Sequence, residues 1–266
     1  MELHEYEPAN GVNLNSPGEI RTNIEQQDFF TFPSKAYLLF DGQLVKADGT
    51  AYANADAVAL TNNGIMHLFS QITYQLLNQN IESVYHPGQA TTMLGMLNYS
   101  NDFQLAQGLN QLWYKDNIQT AVIADNSGFS ARQACIIQKP TTKGAFLFCV
   151  PLRHIFGFCD DYDKVVYGLE HTITLARQSD DDAIFRVAVV AAGKVNLNKI
   201  SLFMPHVLTA DAESDQSERL KSSTIDVQIK ATFNTAVAAN TNAYAVVLSD
   251  KLLKFQSDGN KMNVVY

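Results

Sequence analysis

Residues 144–178, GAFLFCVPLRHIFGFCDDYDKVVYGLEHTITLARQ, set two strand signals and a helical turn one after another with almost no linker. Gly144 to Val150 is a short apolar run bounded by turn formers, the pattern of a strand covered on both faces. Pro151 ends it, and proline suits the first position of a helical turn in which Leu152, Ile155 and Phe156 share a face and Gly157 supplies the stop. After the acidic turn Asp160-Asp161-Tyr162-Asp163, His171, Ile173 and Leu175 alternate with Thr172 and Thr174, the period of a half-buried strand. A strand, turn and strand joined so tightly belong in a β-sandwich.

The same stretch resembles the F-to-G region of double jelly-roll major capsid proteins. The residues that carry the likeness are Pro151, Leu152, Ile155 to Phe158, Asp160, Asp161, Gly168, Leu169, Ile173, Leu175 and Arg177. It extends to EIRTNIEQQDFFTFPSKAYLLFDGQL at 19–44, LTNNGIMHLFSQITYQL at 60–76 and GQATTMLGML at 88–97. Taken in order, these segments look like the hexon-type capsid protein of Polinton or Maverick elements and adinto-like viruses. The resemblance implies a structural subunit that self-assembles, as trimers or higher rings, into a virion or capsid-like particle, with other capsid proteins as further partners. It departs from the family after His206. Where those proteins carry a second complete sandwich, PHVLTADAE runs almost directly into SDQSERLKSS, so the expectation is one jelly roll plus a strand remnant.

The residues predict an all-β fold, an antiparallel β-sandwich with short helices at 89–97 and 151–157, and the resemblance implies that the sandwich is a jelly roll. Residues 1–18, with Pro8, Gly11, Pro17 and Gly18, read as an arm outside the core, followed by a jelly-roll domain over 19–210. Tyr37 to Val45 breaks at Asp41-Gly42, which predicts a tight hairpin or a bulge. Residues 47–57 read as a loop and Asn62-Asn63-Gly64 as a turn. Met66 to Leu76 is a strand with Ser70, Ile72, Tyr74 and Leu76 on one face. In the helix after Pro87-Gly88, Ala90, Met93, Leu94 and Leu97 form the apolar stripe. Residues 98–130 give mixed signals and are expected to be a long connection packed on one end. Cys135 to Gln138, Phe185 to Val190 and Val195 to Met204 read as strands. The polar stretch 211–222 is a junction. Beyond it Ile225, Val227, Ile229, Ala231 and Phe233 alternate with polar residues, and 223–266 is expected to add strands to the same sandwich.

Composition narrows the function. Lys plus Arg number 19 against 27 Asp plus Glu, a net charge of −8, which disfavours a phosphate-binding surface. Residues 1–18 hold no Lys or Arg at all, so no direct nucleic-acid binding through that arm is expected. Three cysteines, Cys135, Cys149 and Cys159, are too few and too irregular for a disulfide framework. No apolar run approaches the roughly 18 residues of a membrane span, and Met1 to Pro17 lacks the pattern of a signal peptide. A soluble protein made inside the host cell and not secreted is expected, with no membrane partner, and the sequon Asn98-Tyr99-Ser100 reads as accidental.

Signatures of chemistry are missing. GxSxG, HExxH, GxxxxGK and GxGxxG are absent, and the six histidines are scattered singly. Asp180-Asp181-Asp182, and Asp160, Asp161 and Asp163 with Cys159 and His154, offer carboxylates for a cation, yet read as structural turns. No catalytic residue, cofactor or metal is expected. Phe29, Phe30 and Phe32, and Trp113 with Tyr114, are candidate intersubunit anchors, with ordinary core packing as the alternative. The rival function is a β-sandwich binding module or carbohydrate-active enzyme with a site in the 98–130 connection, which needs paired carboxylates in a cleft.

Overall fold

The computed structural model describes residues 1–9, 11–25, 29–121 and 125–207, with the backbone of two further strands, Lys254–Ser257 and Met262–Val265. Eight strands form the frame: β1 (Glu2–Tyr6), β2 (Gly18–Ile24), β3 (Tyr37–Lys46), β4 (Phe69–Leu76), β5 (Gln79–Tyr85), β6 (Ala145–Pro151), β7 (His171–Arg177) and β8 (Gly193–Val207). All their pairings are antiparallel. One sheet runs β1-β8-β3-β6 and the other β2-β7-β4-β5. Short ladders of Phe30–Thr31 with the end of β8 and with Val166–Tyr167 extend the first sheet. The orders 1-8-3-6 and 2-7-4-5 are the wrap of a jelly roll, an antiparallel β-sandwich completed within residues 2–207.

Several expectations change here. Residues 2–6 add a strand to the edge of β8, with Glu2 opposite His206 and Tyr6 opposite Leu202. The segment shows no apolar alternation because only Tyr6 packs on the core, while the backbone groups of Glu-Leu-His-Glu-Tyr find their partners in β8. Counting β1 as the first strand, the stretch 144–178 joins the sixth to the seventh. In the B-to-I lettering of jelly rolls that is G to H, one strand later than the F-to-G likeness suggested. The helical turn at 151–157 divides: Leu152–His154 forms one 3-10 turn, and Gly157 opens the five-residue α3 (Gly157–Asp161). Glu82 of β5 explains the restart, because its carboxylate accepts hydrogen bonds from the Gly157 and Phe158 amides at 3.1 and 3.0 Å.

The segment around Cys135 is helical. In α2 (Ser127–Ile136), Asn126 caps the start by accepting from the Phe129 amide at 3.0 Å, and Phe129, Arg132, Gln133 and Ile136 point inward at helical spacing. Ala131 through Ala134 are good helix formers, which outweighs the short apolar run at its end. In α1 (Pro87–Asn98) the buried face is Pro87, Gly88, Thr91 and Gly95, and Leu97 of the expected stripe faces water. Gly95 lies against the Trp113 ring, where a Cβ has no room. Ile184–Arg186 pairs with Val58–Leu60, and the strand expected over 185–190 stops there. The junction 211–222, the alternation at 225–233 and the packing of the C-terminal region lie outside the described residues. Lys254–Ser257 and Met262–Val265 pair with each other.

The core lies between the sheets. Leu38, Phe40, Phe148, Val150, Ile200, Leu202 and Met204 face Ile20, Ile24, Ile72, Tyr74, Leu76, Ile173 and Leu175, all buried. Asp41-Gly42 makes no hairpin, for β3 runs straight through it. The irregularity sits opposite, on β8, where Leu197 pairs with Gly42 and Lys199 with Asp41, leaving Asn198 as the extra residue. This bulge keeps Leu197 and Ile200 both facing inward. Gly42 is required by close approach, since a Cβ there would lie 2.7 Å from the Asn196 carbonyl oxygen and 2.7 Å from the Phe146 ring. Gly42→Ala is expected to lower stability by about 1–3 kcal/mol, measured by urea unfolding, whereas Gly49→Ala, in an open turn at φ +89°, should cost only backbone strain.

Candidate assembly surface

The outward faces of the two sheets differ in chemistry. On the second sheet the outward residues include Glu19, Arg21, Asn23, Thr174, Gln71, Thr73, Gln75 and Ser83, a mostly polar face that also carries the exposed Tyr85 opposite Gln71, while Thr172 is buried beside Asn23. The first sheet carries Tyr37 and Leu39 on β3, Leu147 and Cys149 on β6, Phe203 on β8 and Leu3 on β1. Tyr37 and Phe203 stack with centroids 5.0 Å apart, and Leu147 is 64% exposed. Asp41, Lys199, Glu5 and Glu7 surround this stripe with charge, and the Lys199 ammonium lies 2.7 Å from both Glu5 and Glu7. An apolar centre with a charged rim is the makeup of a protein–protein contact.

This face also corrects the reading of 144–150 as covered on both sides. Phe146, Phe148 and Val150 are buried, but Leu147 is open to water and Cys149 half-buried. Among the described residues the second sheet supplies one cover, and none covers Leu147 on the other flank of β6.

The expected anchors separate. Trp113 is 1% exposed and lies edge-on to Tyr99 at 5.0 Å and to Phe103 at 6.3 Å, so it is occupied within the chain. Tyr114 is half-buried, and its amide donates to Asn62 Oδ1 at 2.7 Å. Phe32 is half-buried beneath the Lys35 ammonium, 5.9 Å from the ring centroid. Phe29 is 39% exposed and Phe30 packs on Tyr167 at 4.5 Å; with Tyr167 at 45% and Leu3 they make an aromatic corner at one end of the first sheet. Leu147, Leu39 and Phe203 were missed because an apolar run fixes a strand without saying which flank stays bare.

The 98–130 connection is pinned from inside. Arg132 is buried and bonds both oxygens of Asp116 at 2.7 and 3.0 Å, the Leu60 carbonyl at 2.8 Å and the Tyr114 carbonyl. The cleft of about 370 Å³ beside it, between Thr61, His67, Gln89, Met93 and Asp116, holds one carboxylate, and Arg132 already engages it. Asp180 is likewise structural: it pairs with Arg177 and accepts from the Val195 amide at 2.8 Å. Among the described residues no three His, Cys, Asp or Glu side chains gather to hold a metal ion, and no helix is long and apolar enough to cross a membrane.

One polar link crosses the core. The Thr31 hydroxyl donates to the Val166 carbonyl at 3.0 Å and lies 2.8 Å from His171 Nε2, while the Tyr74 hydroxyl lies 2.6 Å from His171 Nδ1. With its proton committed to Val166, Thr31 accepts from Nε2–H, which leaves Nδ1 to accept from Tyr74. Burial, with His206 nearby, pushes the His171 pKa down to about 3. Burial, with Arg153 beside it, lowers that of His154 to about 4.

Residues 58–214 match the family described as the double jelly roll-like domain. No curated protein matches the chain. Among solved structures, a chain from the Sputnik virophage is similar at 10% identity with a TM-score of 0.54, over 77% of this chain and 47% of that one. The mavirus major capsid protein is 14% identical with a TM-score of 0.45, over 78% of this chain and 46% of its own. The Faustovirus major capsid protein is 13% identical with a TM-score of 0.44, over 76% and 53%. The chain thus spans about half the length of the structures it matches. At these identities the likeness is one of fold.

Buried His171 and half-buried His154 are neutral in the fold and take protons more readily once unfolded, at about pH 6.5. Their contribution is therefore complete above that pH and is lost as pH falls toward 4 and then 3. The unfolding midpoint should be level above about pH 7 and decline steadily below 6.5, and His154→Gln should flatten the upper part of that decline in a calorimetric series.

Proposed function

Because the chain belongs to the double jelly roll-like domain family, we propose that it is a structural subunit of a viral or transposon-derived capsid, joined to identical copies through the outward face of its first sheet. The observation that carries this reading is the mismatch at β6. Its sequence, Ala-Phe-Leu-Phe-Cys-Val, is that of a strand covered on both flanks, yet the described residues cover one and leave Leu147 64% exposed. A second copy supplies the missing cover, and Leu147, Leu39, Tyr37 and Phe203 form the buried centre of that contact. Asp41, Lys199, Glu5 and Glu7 form the rim and set its register.

Seated on a different surface of the next copy, this face makes a head-to-tail contact that closes into rings, with a trimer as the smallest that suits a hexagonal shell, whereas the face packed on itself would give a dimer. The Polinton-type resemblance of residues 19–44, 60–76, 88–97 and 144–178 favours a capsid-like particle of that group, with other capsid proteins at its joints. The role needs no catalytic residue or cofactor. With no Lys or Arg in residues 1–18, the genome is not gripped by that segment.

Solution mass tests the proposal. The protein is expected to run at multiples of 29.4 kDa and to form rings or shells under negative stain. Leu147→Lys should leave the unfolding midpoint of the isolated chain nearly unchanged, within about 0.5 kcal/mol, while shifting the mass toward that of one chain. A wild-type protein that stays at one chain's mass up to about 100 μM, well above the affinity of a standard interface, would end the proposal.

A further inference from the structure

β1 is weakly tied to the core. Of its five side chains Tyr6 alone packs on the core, and the others are exposed or half-buried. It is held by the ladder to residues 202–206 of β8, by Lys199 acting on Glu5 and Glu7, and by a cluster around His206. In that cluster the Tyr6 hydroxyl lies 2.9 Å from His206 Nε2, the His4 ring stacks on His206 at 4.1 Å, and Phe29 closes the group at 5.0 Å. His206 Nδ1 is buried with no hydrogen-bond partner among the described residues.

A protonated imidazole donates from both nitrogens and needs two acceptors. Tyr6 offers one, and nothing described offers the second. The titratable groups facing the pair, among the described residues, are Tyr6, Glu2, whose carboxylate lies 3.6 Å from His4 Nε2, and His171 on β7, which is itself held neutral. The described residues before β3 that touch the cluster, Phe29 to Thr31, bring none. Burial lowers the pKa of His206 and stacked His4 lowers it further, with Glu2 opposing. With β1 detached, His206 meets water and takes a proton at its ordinary pKa. The attached state is therefore fully favoured above about pH 6.5 and loses ground as pH falls toward the lowered value, by at most about tenfold per pH unit for one proton. The ion pairs hold through this window, since Lys199 keeps the Glu5 carboxyl below its ordinary pKa.

We propose that β1 is an acid-released edge strand, and that the stretch of β8 it vacates, residues 202–206, accepts the same strand from a second copy of the chain. Every contact is reproduced between copies: an incoming β1 brings the same ladder, the same Glu5 and Glu7 for Lys199, and the same Tyr6 for His206. The connection from Glu7 to Pro17 is tied to the roll where the Ala9 amide donates to the Arg21 carbonyl at 3.1 Å, Asn15 bonds the Leu197 backbone at 3.0 and 2.6 Å, and Val12 and Leu14 pack on the core. Exchange releases these ties too, after which the connection, at about 3.3 Å per extended residue, is long enough to reach a neighbour. This inference goes beyond the shell reading and does not rest on it, because a chain that builds no shell can still exchange the strand.

Two proteins with one accessible cysteine each test it, Glu5→Cys and Phe203→Cys, each carrying Cys135→Ser and Cys149→Ser and keeping only the buried Cys159 besides, since residues 5 and 203 face each other across the ladder. The two are mixed, held at about pH 7.5 or pulsed to about pH 5.5 and returned, then oxidised. Linked pairs are expected more often after the pulse, by up to about tenfold. In the wild-type chain, amides 2–6 and those amides of residues 202–206 that point to β1 should lose hydrogen-exchange protection at the lower pH while 72–76 keep theirs. His206→Phe should remove the pH dependence of both readouts. Equal linkage with and without the pulse, no linkage after it, or loss of protection across the whole roll would each overturn the proposal.

Discussion

The fold depends on β8. It pairs with β3 along one edge and with β1 along the other, so the strand at positions 193–207 brings two early strands into one sheet. Without it β1 has no partner, and β3 keeps only β6. The strand also carries the bulge at Asn198, which keeps Leu197 and Ile200 pointing at the second sheet despite their spacing of three. Gly42 on the facing strand lets Phe146 and the Asn196 carbonyl come close at the same point. Changes on either strand there are felt on both.

The sandwich is two-sided in a chemical sense. Its second sheet presents Thr, Gln, Asn and Ser to water, and its first presents Leu, Tyr, Phe and Cys. A free-standing antiparallel sandwich has no need of the latter, because one covered flank per sheet suffices to close its core. The same apolar face offers a geometrical advantage to a building block. It spans four strands, with Asp41, Lys199, Glu5 and Glu7 charged beside it.

Much of the frame was legible in the amino-acid sequence. The alternation of His171, Ile173 and Leu175, the strand ending at Leu76 and the helix after Pro87 all follow from period and punctuation, and their order carries the resemblance to double jelly-roll proteins. Misreadings have local causes. β1 faces mostly water, so it shows no pattern. Asp41-Gly42 looks like a turn because glycine serves a close approach there just as it serves a positive φ elsewhere. The stripe Ala90, Met93, Leu94 and Leu97 has helical spacing, yet small residues, Gly88, Thr91 and Gly95, let α1 lie close to His67 and Trp113. The bare flank of β6 was hardest to see, since periodicity reports burial and a contact with another molecule leaves the same trace as a contact within the chain.

The pairing of Tyr6 with His206 spans 200 positions. At a synthesis rate of about 5–20 residues per second, the first strand leaves the ribosome roughly 10–40 s before the strand that completes its sheet exists. For that interval β3 stands with an unpaired edge, rich in Tyr, Leu and Phe, and several nascent copies on one message present the same edge to each other. Sequestration of β3 during translation, by a chaperone or by spacing of ribosomes, is thus a requirement that this topology places on the cell that makes it.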